Sequence, residues 1–149
     1  MPGIIVGIDG SAHSRQALEW AVNEASVRHA PLTVLTVNQA AAGYWSSPLE
    51  YPRDLHRTKQ AREAAKVETD SVLKQVGKES WLPPVMVRAV SGLPAEEILN
   101  AAANADMIVV GSHGARGFKR MLLGSVSAQV THRAHCPVVV IPADNARPA

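Results

Sequence analysis

The chain has 149 residues and a mass of 15.9 kDa, the size of one domain, so we predict a single domain over residues 1–149. Hydrophobic residues make up 46% and charged residues 19%, a globular composition that excludes a wholly disordered chain. The net charge is only +2, from 15 Lys and Arg against 13 Asp and Glu. This is too small for general binding to nucleic acid or acidic membranes, so neither is expected as a partner.

The cysteine content and the length of the apolar runs indicate where in the cell the protein is expected. Cys136 is the only cysteine in the sequence, which excludes an intramolecular disulfide framework and fits a reducing compartment. The segment Met1-Pro2-Gly3 precedes an apolar run and lacks the basic region of a signal peptide. No apolar run approaches the ~18 residues of a membrane span. We therefore expect a soluble, cytoplasmic protein.

Five short apolar runs predict β-strands. The first, fourth and fifth runs are continuous rather than alternating, which is typical of strands covered by helices on both faces of a sheet. In chain order the runs are Ile4–Ile8, Leu32–Val37, Val85–Val90, Met107–Val110 and Val138–Ile141.

Each gap between these runs holds a candidate helix. Between Ser14 and Arg28 the apolar residues recur at three- and four-residue spacing, and Ser11 or Ser14 is the candidate N-cap. Further helices are expected over residues 55–76, from Pro94 to about Ala102, and from Gly124 to about Ala134. The order β-α-β-α-β-α-β-α-β predicts a doubly wound α/β domain with a mostly parallel sheet.

Two segments follow strands at the sheet edge where ligands bind in open α/β folds. Residues 9–11, Asp-Gly-Ser, follow the first strand, and a glycine-rich loop, residues 111–124, follows the fourth. Glycines let backbone N–H groups approach a ligand closely, and the helix that begins at Gly124 adds a positive dipole end. The second segment therefore predicts a phosphate-binding loop, with added positive charge from Arg116, Lys119 and Arg120.

The glycine spacing excludes two common phosphate loops. The loop has no Gly-Lys-Ser/Thr, and its glycines do not fit G-x-G-x-x-G. They do fit G-x2-G-x9-G-Ser, at Gly111, Gly114, Gly124 and Ser125. With this motif the sequence resembles the universal stress protein family, specifically its ATP-binding subgroup. The resemblance extends over nearly the whole chain, and it is carried by Gly3–Ser11, Leu122–Ser127 and His135–Val140.

The resemblance implies a five-stranded sheet in the order 3-2-1-4-5, with helices on both faces and an adenine nucleotide bound between strands 1 and 4. The end of strand 1 would border the nucleotide, and the backbone of Val37 would contact adenine. The glycine-rich loop would line the ribose and the phosphates, and the following helix would bind the phosphate tail. The implied binding residues are Gly7, Ile8, Asp9, Val37, Gly111, Ser112, His113, Gly114, Arg116, Gly117, Gly124, Ser125, Val126 and Ser127.

The function implied is that of a regulatory protein of the stress response, which binds ATP as a sensor or switch and has no assigned catalytic residue. Cyclic AMP is a competing ligand, and Asp9 is a candidate ligand for Mg²⁺. An enzyme that hydrolyses ATP slowly is the main alternative. Adenylyl transfer is disfavoured because the S-G-G-x-D-S and H-I-G-H signatures are absent. A receiver domain is disfavoured because Asp9 has no acidic neighbour and no lysine follows strand 5.

Several of these residues also have purely structural interpretations. Asp9 fits an Asx-turn or a helix cap as well as a ligand contact. His132 and His135 fit the negative end of a helix dipole, so we expect no metal there. Cys136 is interpreted as a small buried residue rather than a nucleophile. The two tryptophans outside the long connection, Trp20 and Trp81, are interpreted as packing residues.

Two regions carry predictions of a different kind. Residues 38–54 are predicted to form a long connection, whose role the sequence leaves open because this segment varies in the family. The fifth strand would be an uncharged edge strand in the implied order, with prolines only at its borders, Pro137 and Pro142. Exposed apolar edges invite pairing with another chain. We therefore expect a homodimer through this strand, as relatives often form.

Overall fold

The computed structural model describes residues 3–39, 51–78, 81–113 and 124–142, with side chains described from residue 55 onward in the second range. Strands and helices alternate along these ranges. In chain order they are β1 (Ile4–Ile8), α1 (Ala12–Arg28), β2 (Leu32–Asn38), α2 (Tyr51–Val76), β3 (Val85–Ser91), α3 (Pro94–Ala101), β4 (Met107–Gly111), α4 (Ser125–Arg133) and β5 (Val138–Ile141).

The strands form one parallel sheet in the order β3-β2-β1-β4-β5. The central strand β1 pairs with β2 on one side and β4 on the other, so that Ile4 lies opposite both Leu32 and Met107. The predicted α/β fold and the order 3-2-1-4-5 are thereby confirmed. Because the strand order reverses between β1 and β4, a crevice is expected at the carboxyl ends of these two strands.

Two apolar clusters cover the two faces of the sheet. The first packs α1 and α2 against one face, with Leu18 fully buried, and the second packs α3 and α4 against the other, with Val130 fully buried. Strand β1 contributes Val6 to the first cluster and Ile5 to the second. Successive side chains point to opposite faces, so a strand between two helical layers must be apolar throughout. This explains the continuous runs in the sequence.

Helix α1 begins at Ala12, two residues before the predicted start, because Ser11 caps it. The Ser11 hydroxyl oxygen accepts a hydrogen bond from the Ser14 N–H at 3.2 Å. Ser14 itself is buried, and its hydroxyl oxygen accepts a hydrogen bond from the Asp9 N–H at 3.1 Å. Of the two candidate caps, Ser11 is therefore the N-cap, while Ser14 ties the helix to the end of β1.

Helix α2 begins at Tyr51, four residues earlier than predicted. A connection over residues 38–54 is therefore wrong at both ends, because β2 also extends through Asn38. Pro52 is compatible with this start, since the first turn of a helix leaves its N–H groups without intrahelical partners. The remaining residues of the connection, 40–50, lie outside the described ranges.

The two tryptophans behave differently. Trp20 packs against the first cluster, as predicted. Trp81 is 48% exposed, so its predicted packing role is correct for only part of the ring. Its ring lies against His29, with ring centroids 4.6 Å apart, and its carbonyl oxygen accepts a hydrogen bond from the Ser26 hydroxyl. Trp81 thus fastens the segment before β3 to the end of α1.

Cys136 lies just before β5 and is partly buried against the second cluster, where the sequence predicted a small buried residue. Burial raises the pKa of the thiol, and the nearby charge of Asp106 raises it further. The thiolate is the nucleophilic form of cysteine, and a raised pKa disfavours it. The interpretation of Cys136 as a packing residue is therefore supported.

The described ranges lack two features, a membrane-spanning helix and a cluster of metal-binding side chains. Within them, no helix combines the length and the apolar character that crossing a membrane requires. The same ranges contain no group of three or more His, Cys, Asp or Glu side chains arranged to hold a metal ion.

We predict that Ser11→Ala lowers the free energy of unfolding by about 0.5–2 kcal/mol, because it removes the side-chain cap of α1. Urea denaturation followed by circular dichroism measures this loss. Ser125→Ala is the matched control, since Ser125 is exposed at the start of α4 and should change stability by less than about 0.5 kcal/mol. Equal effects of the two substitutions would contradict the assigned cap.

Candidate functional site

Three chain segments meet at the carboxyl edge of the sheet, namely the end of β1, the end of β4 and the start of α4. The backbone N–H of Gly124 donates a hydrogen bond to the carbonyl oxygen of Ser112, which brings the start of α4 to the end of β4. Strands β1 and β4 are direct neighbours, so all three segments lie at the edge of the sheet where the crevice is expected. Three further predicted binding residues lie outside the described ranges: Gly114, Arg116 and Gly117.

Asp9 begins the turn between β1 and α1. Its side chain is exposed, and its Oδ1 atom accepts a hydrogen bond from the Ser11 N–H at 2.9 Å. Gly10 between them has a φ of +84°, a conformation that favours glycine. Asp9 therefore forms the Asx-turn that the sequence left open as an alternative. The turn also holds its carboxylate at the border of the crevice.

The other predicted residues on β1 and β2 have side chains committed to packing. Ile8 is buried, and Val37 packs against the second cluster. A Cβ on Gly7 would lie 2.9 Å from Cδ1 of Ile98 on α3, so a larger residue there would require the Ile98 side chain to shift. Gly7 and the buried Ile8 can offer only backbone groups to a ligand, and the resemblance implied the same kind of contact for Val37.

The end of β4 lies very close to the start of α1. A Cβ on Gly111 would lie 3.2 Å from the carbonyl oxygen of His13 and 3.4 Å from that of His113. Gly111 is the last residue of β4, rather than the first residue of the loop as predicted. The glycine thus permits a close backbone approach at the edge of the crevice.

Ser112 is 5% exposed and is held from both sides. Its N–H donates to the carbonyl oxygen of Ile141 on β5 at 2.8 Å, and its own carbonyl oxygen accepts from Gly124 and from the Ser127 hydroxyl. Its hydroxyl oxygen lies 3.0 Å from Nδ1 of His113. Ser112 is therefore a structural link between β4, β5 and α4.

The residues at the start of α4 differ sharply in exposure. Ser127 is 2% exposed, and its hydroxyl donates to the carbonyl oxygens of Ser112 and Gly124, each at 3.1 Å. Ser125 is exposed, whereas Val126 is partly buried against the second cluster. The sequence predicted hydroxyl contacts from both serines. The hydroxyl proton of Ser127 is shared between two hydrogen bonds within the protein, and Ser125 is the serine that faces solvent.

The charges at the two helix starts differ. The first turns of α1 and α4 contain no acidic residue, but the Asp9 carboxylate accepts a hydrogen bond from Ser11, the N-cap of α1. The positive end of the α4 dipole therefore favours an anion more than that of α1. On α2, burial raises the pKa of the half-buried Glu68, Arg15 opposes this effect, and Asp9 adds to it. Glu68 and Arg15 line a shallow groove beside the Asp9 turn, together with Gly10 and Ser71.

Sequence reasoning missed His13. It lies in the first turn of α1, and its ring centroid is 6.3 Å from that of His113, with the ring planes tilted by 56°. The available signal was its position two residues after the Asp-Gly-Ser segment. That position sets it on the helix turn nearest the crevice.

Comparison with proteins of known sequence gives a consistent family. The sequence model described as "Universal stress protein family" matches residues 2–142. The universal stress protein Rv2005c of Mycobacterium tuberculosis is 34% identical over 146 residues, which are 97% of this chain and 49% of that protein. The chain thus spans about half the length of the curated relatives it matches.

Solved structures agree with the sequence comparison. The universal stress protein UspA from Lactobacillus plantarum superimposes with a TM-score of 0.79 at 27% identity, over 94% of this chain and 97% of that one. A universal stress protein solved in complex with cAMP superimposes with a TM-score of 0.60 at 26% identity, over 95% of this chain and 96% of that one. With the family model, the relatives and the strand order in agreement, the chain belongs to the universal stress protein family.

Proposed function

We propose that this protein binds an adenine nucleotide, with ATP as the first candidate, and acts as a nucleotide-dependent regulatory protein of the stress response. The observation that carries the proposal is the meeting of three segments, the ends of β1 and β4 and the start of α4, at the crevice where the strand order reverses. Open α/β sheets bind ligands at such a crevice. The structural relative in complex with cAMP supports an adenine nucleotide as the ligand.

The start of α4 suits a phosphate group. Gly124 is the N-cap and contributes no side-chain cap, so the N-terminal turn is not filled by a side chain of its own. Ser125 adds an exposed hydroxyl group, and the helix dipole attracts negative charge. The phosphates would therefore lie over this turn, with the adenine end toward the backbone of Val37 on β2.

Asp9 gives the site a carboxylate that suits a nucleotide-bound Mg²⁺. Magnesium in nucleotide sites is usually held by one or two carboxylates together with the phosphates themselves. The Asx-turn fixes the Asp9 side chain at the border of the crevice, which is where the phosphate end of the ligand would pass. We therefore include Mg²⁺ with ATP in the proposal, and Asp9 as its protein ligand.

A regulatory role is favoured over catalysis by what surrounds the crevice. Phosphoryl transfer requires a group that positions the attacking water and a cation that supports the departing phosphate. Asp9 accepts a hydrogen bond within its turn and is proposed above to hold Mg²⁺, and Nδ1 of His113 lies against the Ser112 hydroxyl, so the proposal assigns neither side chain to the attacking water. The proposal includes a cytoplasmic location, where ATP is abundant and Cys136 stays reduced. Slow ATP hydrolysis and cAMP binding at the same crevice are the alternative functions.

We predict that ATP stabilises the protein against heat. A ligand at about 100 times its dissociation constant adds about 2.7 kcal/mol, and each kcal/mol raises Tm by roughly 2–4 °C in a chain of this size. Gly124→Val should abolish the shift, because its side chain would occupy the space of the phosphate. Differential scanning fluorimetry with ATP, AMP and cAMP measures the effect and ranks the ligands.

Ala128→Val is the matched control for this experiment, since Ala128 is exposed one turn further along the same helix. It should retain the full shift with ATP. A wild-type protein that no adenine nucleotide stabilises, or a Gly124→Val variant with an unchanged shift, would contradict the proposed site.

We predict that ATP hydrolysis is slower than ~1 s⁻¹, the lower end of typical turnover numbers. Phosphate release measured under single-turnover conditions tests this. Asp9→Asn is a sharp variant, since the amide oxygen can still accept the hydrogen bond from Ser11 while the charge is lost. Fast turnover that disappears in Asp9→Asn would replace the regulatory proposal with that of an ATPase.

We also propose a homodimer through β5, which lies at one edge of the sheet. The carbonyl oxygens of Pro137 and Ile141 accept hydrogen bonds from Ile108 on β4 and from Ser112 directly after it. Because successive residues of a strand present their backbone groups to opposite sides, Val138 and Val140 present theirs to the outer edge. A second copy of the chain can pair with this apolar edge around a two-fold axis.

We predict that Val140→Pro weakens this dimer, since proline removes an N–H from the outer edge and leaves the hydrogen bonds to β4 in place. Light scattering should give twice the 15.9 kDa chain mass for the unmutated protein and a mass near 15.9 kDa for the variant. Circular dichroism checks that the variant is folded. A monomeric unmutated protein at micromolar concentration would contradict the dimer.

A further inference from the structure

Two histidine rings meet at the edge of the crevice. His13 comes from the first turn of α1 and His113 from the segment after β4, and their ring centroids are 6.3 Å apart. Both side chains are half-buried. We refer to His13 and His113 as the histidine pair. Of these two histidines, the resemblance to the family implied a binding role only for His113.

Backbone contacts define the position of this pair. The carbonyl group of His13 lies so close to Gly111 that a Cβ at this position would push the two backbone segments apart. His113 follows Ser112, whose backbone is bonded to Ile141 and Gly124 and whose hydroxyl lies 3.0 Å from Nδ1 of His113. The two rings therefore stand on anchored segments from different elements.

The histidine pair lies on the opposite side of β1 from Val37, where the adenine is proposed to bind. Strands β2 and β4 flank β1 on opposite sides. Val37 lies near the end of β2, whereas the carbonyl group of His13 lies against Gly111 at the end of β4. Neighbouring strands lie about 4.8 Å apart, so the two sides are separated by about 10 Å. If the adenine lies at Val37, the pair lies at the phosphate end.

The chemistry of the pair also suits phosphate. A neutral imidazole has one N–H donor and a protonated one has two, and hydrogen bonds to phosphate oxygens are stronger than those between neutral groups. The first turn of α1 contains no acidic residue, and its Arg15 forms an ion pair with Glu19 one turn further along the helix, at 3.4 Å. Asp9, in the turn before α1, accepts a hydrogen bond from Ser11, and Glu68 on α2 lines the groove beside that turn.

We propose that His13 is a further ligand-contacting residue, which together with His113 binds the phosphate chain and makes the site prefer ATP to adenosine. This inference rests on the proposed function and deepens it. It assigns the discrimination between phosphorylated and unphosphorylated ligands to a side chain on α1, outside the glycine-rich loop.

The test is isothermal titration calorimetry with ATP and with adenosine. His13→Ala should lower the affinity for ATP about tenfold, which is about 1.4 kcal/mol, and leave the affinity for adenosine unchanged. His13→Gln, which keeps an N–H donor, should recover most of the affinity for ATP. His132→Ala is the matched control, because His132 is exposed in the last turn of α4 and should change neither affinity.

The calorimetry separates a failure of the His13 proposal from a failure of the proposed function. Equal losses for ATP and adenosine in His13→Ala, or an affinity for ATP equal to that of the unmutated protein, would contradict the role of His13 while the proposed nucleotide site stands. An unmutated protein that binds neither ATP nor adenosine would contradict the proposed function itself. Urea denaturation of His13→Ala confirms that any loss of affinity is not a loss of folding.

Discussion

The candidate site depends on the backbone of Ser112. Its N–H is bonded to β5, and its carbonyl oxygen accepts from the N–H of Gly124 and the hydroxyl of Ser127, so one peptide segment fixes β4, β5 and α4 relative to one another. Unpaired backbone groups are costly when buried, and Ser112 is buried. Any rearrangement of α4 away from β4 must therefore break at least two of these bonds.

A second set of hydrogen bonds performs the same task on the opposite side of the crevice. Asp9, Ser11 and Ser14 bond to one another through side-chain oxygens and backbone N–H groups, and they join the end of β1 to the start of α1. Both borders of the crevice are thus defined by polar contacts, short-range at β1 and long-range at β4. This leaves the helix starts near the surface while the strands beneath them are buried.

Burial divides residues that the sequence presents as equivalent. Ser125 and Ser127 belong to one motif, yet the first is exposed and the second donates its proton to two carbonyl groups. Asp9 likewise combines a turn with an exposed carboxylate. A motif specifies which residue types occur at a given spacing. It does not specify which hydroxyl or carboxyl group the folded chain uses for its own stability.

The sequence by itself determined the order of elements, because continuous apolar runs and three- to four-residue spacing follow directly from the geometry of buried strands and amphipathic helices. Its resemblance to a family supplied the strand order, and the segments after β1 and β4 located the crevice. The start of α2 at Tyr51 was missed, since no apolar pattern marks it. Only the tertiary structure placed His13 beside His113 and buried Ser127, because both depend on contacts between segments distant in the chain.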